Sequence, residues 1–203
     1  WIQFGSAGID HTLFPALLAS GVALTTLSGI HTEVVAEHVI ALMLALTRRL
    51  DLSLRLQAEH RYDRSEIAAT ATELSGKTLG VVGLGRIGQN IARIAMAFGM
   101  AAIGTKRTPN PNLMVDEIFR PEQLHEMLPK CDFLVLAVPL TEETRALIGK
   151  EEIERMKDGS YLINVARGAM VDPDALAQAL ISGKLAGAGL DVFTQEPLPP
   201  ESP

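Results

Sequence analysis

Apolar positions in the last two thirds of the chain alternate between short unbroken runs and helical spacings. Runs at 78–82, 101–103, 133–138, 161–165 and 188–192 predict strands. Between them apolar residues return every three or four positions, as in Ile87, Ile91, Ile94, Ala95 and Phe98, before Gly99 stops the helix. Strands with no polar face are buried on both sides, so the pattern predicts an α/β fold with a doubly wound parallel sheet. Upstream, Val35, Val39, Leu42, Met43, Leu46 and Leu50 share helical spacing, with Thr32 as the expected N-cap and Arg48 and Arg49 near the C-terminal end. They predict one long helix. Residues 1–30 read as strand, helix, strand, too little to bury a core of their own, and are expected to be the last part of another domain. Residues 51–75 are polar and weakly periodic, and read as an arm outside the core. The expected organisation is therefore 1–30, 31–75 and 76–203.

Composition narrows the partners. The 203 residues are 47% hydrophobic and carry a formal net charge of −6, which argues against a general attraction to nucleic acid or anionic membrane. A small molecule is the better expectation. The longest apolar stretches, 39–46 and 133–140, fall well short of the roughly 20 residues that cross a bilayer, and no secretory signal is visible. The single cysteine, Cys131, forms no internal disulfide and fits a reducing, cytoplasmic setting. The chain begins at Trp1 without a methionine and closes in loop-like sequence, so it reads as a piece of a longer protein.

Chemistry enters with "TLGVVGLGRIGQNIARIAMAFG", which sets Gly83, Gly85 and Gly88 between a strand and an amphipathic helix. The first glycine permits a tight turn, the second lets backbone approach a pyrophosphate, and the third allows close helix packing. The helix start then offers unpaired amides to the anion. An NAD site ordinarily has an acid about 20 residues further on, to accept from the adenosine ribose hydroxyls. Here "AAIGTKRT" has Lys106 and Arg107 instead, two cations that suit a 2′-phosphate. The pair favours NADP over NAD, with a solvated basic turn as the alternative.

Ligands of open parallel sheets lie beyond the carboxyl ends of the strands. Those ends are Gly83, Lys106, Pro139, Arg167 and Asp191. In "INVARG" an arginine leaves an apolar strand beside a glycine, where its planar fork can hold a carboxylate and polarise a carbonyl. His31 and His38 are seven apart with Glu37 between them, yet they fall within the long helix, and no metal site is expected.

The stretches "GKTLGVVGLGRIGQNIARIAMAFGM", "LAVPLTEETRALIG", "MKDGSYLINVARGAMVD" and "LAGAGLDVFTQEPLP", with "GSAGID" and "VVAEHVIALMLALTRR" upstream, resemble the D-isomer-specific 2-hydroxyacid dehydrogenases over essentially the whole chain. The resemblance implies a Rossmann-type NAD(P)-binding domain at 76–203, a connecting helix and arm at 31–75, and the end of a flavodoxin-like substrate domain at 1–30. It implies hydride transfer between a nicotinamide and a small 2-oxo or 2-hydroxy acid such as glyoxylate or hydroxypyruvate, and a homodimer. By position, Arg167 would bind the substrate carboxylate and carbonyl, joined by backbone amides of Ala7 and Gly8. Arg86 and Ile87 would lie on the pyrophosphate, Pro139 and Thr144 along the adenosine and ribose, and Asp191 at the carboxamide of the nicotinamide. Glu196 of "EPLP" would pair with a histidine and keep it protonated as a general acid. In the family that histidine lies further along than Pro203, and none of His11, His31, His38, His60 and His125 matches its motif. These residues alone are therefore expected to turn over poorly. A nucleotide-sensing scaffold and a formate- or phosphite-type dehydrogenase are the alternatives.

Overall fold

In the computed structural model, which describes residues 1–5, 8–9, 12–108 and 112–202, the chain opens with two short parallel strands, β1 (Ile2–Phe4) and β2 (Leu24–Thr26), joined through α1 (Pro15–Ala19). Ala7, expected at the substrate carboxylate, and the unmatched His11 lie outside the described residues. A long helix, α2 (Thr32–Thr47), follows. Its expected N-cap does not form. Thr32 is the first helical residue, and its hydroxyl donates backwards to the Gly29 carbonyl at 2.8 Å.

The expected single helix to Leu50 ends early, because Arg49 adopts a left-handed φ of 54° and restarts the chain as α3 (Leu50–Ala58). Residues 51–75, expected to lie outside the core, contribute buried Leu52, Leu56 and Leu74. Weak periodicity hid them, since one turn of a short helix needs only two apolar positions, here spaced by four, to reach the core. After α4 (Arg64–Ala68), the segment returns along the end of α2. The Thr72 amide donates to the Thr47 carbonyl at 2.8 Å, and the Arg48 guanidinium reaches the Thr72 carbonyl at 3.1 Å.

The main sheet has six parallel strands in the order β5–β4–β3–β6–β7–β8. They are β3 (Thr78–Val82), β4 (Ala101–Thr105), β5 (Glu117–Phe119), β6 (Phe133–Leu136), β7 (Ser160–Asn164) and β8 (Leu185–Leu190). The three-residue edge strand β5 was not expected from the sequence, for it is too short to show a pattern. The predicted α/β doubly wound sheet is present. Alternate residues of each strand feed two cores: Leu79, Val81, Phe133, Val135 and Ile163 meet α2 and α5 (Arg86–Ala97). Val82, Leu134, Leu136 and Leu162 meet the opposite layer. That layer contains α6 (Leu124–Met127), α7 (Lys150–Arg155) and α8 (Pro173–Ile181). Side chains buried on both faces explain why the strands read as continuous apolar runs.

The strand order reverses at β3, whose neighbours are β4 on one side and β6 on the other. The crossovers leaving β3 and β6 turn to opposite sides of the sheet, and a crevice opens between them at the carboxyl edge. No described helix is long and apolar enough to cross a membrane.

Candidate functional site

The crevice at the reversal point holds a cavity of about 1000 Å³, at the upper end of the ~300–1,000 Å³ range of small-molecule sites. Gly83, Gly85, Lys106, Arg107, Pro139 and Thr144 line it, six of the expected cofactor-binding residues. They come from three separate loops, after β3, β4 and β6.

Local backbone chemistry explains the first loop. Gly83 has φ of +99°, a left-handed conformation that a side chain opposes, and its amide donates to the Thr105 hydroxyl at 3.0 Å. At Gly88 a Cβ would collide with the Gly83 carbonyl and touch Val81, so the start of α5 seats directly on the turn. Gly85 differs from both. A Cβ there would enter open space, which leaves its backbone approachable from the cavity. Ile87 and Gly88 stand in the first turn of α5, where amides have no acceptor within the helix. These features fit a dinucleotide pyrophosphate: backbone donors, a positive helix end, and a surface free of side chains.

Arg86 takes a different direction. Its guanidinium donates to the Ser28 carbonyl at 2.7 Å and packs over Gly29, so its side chain joins the segment before α2 to the start of α5. It lines a second, smaller concavity with Glu33, Asn90 and Arg93.

The two expected phosphate-binding cations are already engaged by the chain. The Lys106 ammonium donates to the Leu84 carbonyl at 2.8 Å, tying the end of β4 to the glycine loop. The Arg107 guanidinium lies 3.5 Å from the Glu143 carboxylate on the opposite wall. Thr144 shapes that wall: its hydroxyl donates to the Pro139 carbonyl at 2.8 Å and accepts from the Thr141 amide at 2.8 Å.

Farther along the same edge, the loops after β7 and β8 meet. Arg167 is half-buried, and one guanidinium nitrogen donates to the Ala166 carbonyl at 2.8 Å. A Cβ at Gly8 would strike that guanidinium, so Gly8 rests against it. A Cβ at Gly168 would likewise strike the backbone of Phe193 and Thr194. The Phe193 amide in turn donates to the Glu196 carboxylate at 2.9 Å, which pins an otherwise exposed side chain. Arg167, Gly8 and Glu196 thus belong to one group of touching loops. Asp191 follows β8 and approaches His38 of α2 at 3.3 Å. It does not line the cavity.

Three residues of this edge escaped the sequence. Thr105 was cut from a strand expected to end at Ile103, although a threonine closing a strand before a basic turn was a usable signal. Glu143 and His38 carried none, for their partners Arg107 and Asp191 are distant in the chain. Cys131 is buried, and burial pushes its thiol up to about 12, leaving it a packing residue and not a nucleophile. Among the described residues no three His, Cys, Asp or Glu side chains gather as metal ligands.

Comparison with known proteins gives the same picture. The family model described as "D-isomer specific 2-hydroxyacid dehydrogenase, NAD binding domain" matches residues 40–203. The chain is 39% identical to the glyoxylate reductase of Thermofilum pendens, over 98% of this chain and 59% of that protein. It is 40% identical to the glyoxylate/hydroxypyruvate reductase B of Pectobacterium carotovorum, over 98% of this chain and 62% of that one. The D-lactate dehydrogenase of Aquifex aeolicus, solved with NAD and lactic acid, superposes with a TM-score of 0.84 at 40% identity, covering 96% of this chain and 58% of its own. The chain therefore spans less than two thirds of the curated relatives it matches. Its glycine turn, its sheet order and the match over residues 40–203 show that it belongs to the D-isomer specific 2-hydroxyacid dehydrogenase family.

Proposed function

We propose that the protein transfers a hydride between NAD(P)H and a small 2-oxo acid of the glyoxylate or hydroxypyruvate type, forming the D-2-hydroxy acid. Support comes chiefly from one observation: the Arg167 guanidinium rests against Gly8 on the same sheet edge that opens the glycine-lined cavity. The two glyoxylate-reducing relatives point to the same substrate class.

Gly83, Gly85 and the first amides of α5, at Arg86, Ile87 and Gly88, receive the pyrophosphate. Pro139 and Thr144 border the adenosine side, while Lys106 and Arg107 favour NADP over NAD through a 2′-phosphate. Asp191 accepts from the carboxamide. When bound, the nicotinamide supplies the hydride. Arg167 holds the substrate carboxylate with amides of Ala7 and Gly8, and its second arm draws electron density from the carbonyl. Glu196, steadied by the Phe193 amide, orients an imidazole that donates the proton to the carbonyl oxygen. In this reading residues 1–30 belong to the substrate domain, 31–75 to the connection and 76–203 to the cofactor domain. The assembly is a cytoplasmic homodimer, supported by exposed Leu50, Leu54 and Tyr62 in the connecting segment.

The test is a steady-state assay of the intact protein with NADPH and glyoxylate or hydroxypyruvate. Turnover of about 1 to 1000 per second is expected of the full-length protein, with little or none from residues 1–203 alone. Arg167→Lys should lower kcat/KM by about 100-fold with the Kd for NADPH unchanged, because lysine keeps the charge and loses the fork. Full activity in that variant defeats the assignment.

A further inference from the structure

The end of β4 lacks the acid that ordinarily accepts from a free ribose diol, yet a carboxylate reaches the same place from elsewhere. Glu143, in the loop after β6, lies 3.5 Å from the Arg107 guanidinium, and both line the cavity from facing walls. Lys106 turns one of its three ammonium donors to the Leu84 carbonyl, on the glycine-loop side. Side-chain exposures of 72% for Arg107 and 82% for Glu143 leave this ion pair in high dielectric, so either group can exchange its partner for a ligand at little cost.

We propose that Glu143 is a specificity-determining residue at the adenosine end of the cofactor site. From the opposite wall it supplies the carboxylate acceptor missing after β4, so that NADH binds alongside NADPH. This rests on the dinucleotide reading above and refines its preference for NADP.

The two cofactors meet the pair differently. A ribose diol offers hydroxyl donors to Glu143 and hydroxyl acceptors to Arg107, so it fits between the two charges and keeps both satisfied. A 2′-phosphate carries about −1.5 to −2 charges and no comparable set of donors. It takes the Arg107 fork and leaves Glu143 as a like charge beside it. Arg107 therefore attracts the phosphate while Glu143 opposes it. The selectivity is the difference between the two effects.

Fluorescence titration of the intact protein with NADPH and NADH, with 2′-AMP and AMP as competitors that report the adenosine end alone, tests this. In Glu143→Gln the NADPH Kd should fall about 5-fold and the NADH Kd rise about 2-fold, moving the ratio by about 10-fold. The 2′-AMP and AMP affinities should shift in the same senses. The gain for NADPH should shrink in about 0.5 M salt, where exposed charges are screened. A ratio unchanged by Glu143→Gln, whether both constants stay still or move together, overturns the proposal. If the unmodified protein binds neither dinucleotide, the cofactor reading itself fails, a result distinct from loss of selectivity alone.

Discussion

At one end of the crevice the turn between β3 and α5 is shaped by the absence of side chains. At the other, the loops after β7 and β8 are held together by one glycine contact and then carry charged groups. Gly83 permits the left-handed turn, and Gly88 lets the helix start pack on the turn carbonyl. The second region presents charged groups: Arg167 is half-buried against Gly8, and exposed Glu196 accepts from the Phe193 amide. A backbone cradle can bind any pyrophosphate, whereas side-chain loops select what reacts beside it. Binding and chemistry should therefore separate under mutation.

Gly88→Val should have the largest effect. The added branch meets the Gly83 carbonyl and Val81, which forces α5 off the sheet, with an expected loss of about 3 kcal/mol or more and of dinucleotide binding. Thermal unfolding and NADPH titration check both. Unchanged stability would mean that the turn has slack the close contact denies.

Gly168→Ala tests the other end. Its methyl group would push on the backbone of Phe193 and Thr194, separating Arg167 from the loop that carries Glu196. On the proposed function, kcat should fall by about 100-fold for a displacement on the order of 1 Å, with the NADPH Kd changed less than about 2-fold. An equal loss of cofactor binding would show that the two ends are not independent.

Thr105→Val sharpens the first region. It keeps the shape but removes the acceptor of the Gly83 amide at a buried position, for an expected cost of about 1 to 3 kcal/mol. NADPH affinity should fall modestly, as the turn loses its anchor to β4.

The smallest effect lies outside the crevice, on the His125–Glu152 contact that joins α6 to α7 at 2.9 Å. Burial raises the Glu152 carboxyl, but hydrogen bonds from His125 and the Gly149 amide outweigh it and hold the group below its ordinary 4.5. A carboxylate depressed in the folded state adds stability that is fully present above the unfolded value and is lost as pH falls through the folded one. Glu152→Gln should therefore lower Tm at pH 7 by about 1 to 2 °C and flatten its decline below about pH 4.5. Both regions of the crevice should remain as they were, with NADPH binding and turnover unchanged.

What could be read from the chain alone followed from local constraints. A strand running into three spaced glycines and an amphipathic helix is a statement about backbone space, and Gly83 and Gly88 bear it out at short range. Buried strands announced themselves because both their faces are covered, which strips them of polar positions. Only the tertiary structure decided which distant groups meet. The sheet brings Arg107 to Glu143 and Asp191 to His38, places Leu52 and Leu56 in contact with the core, and adds β5 at the edge. Charge pairs between loops depend on strand order and helix placement, long-range properties that leave no periodicity in the sequence.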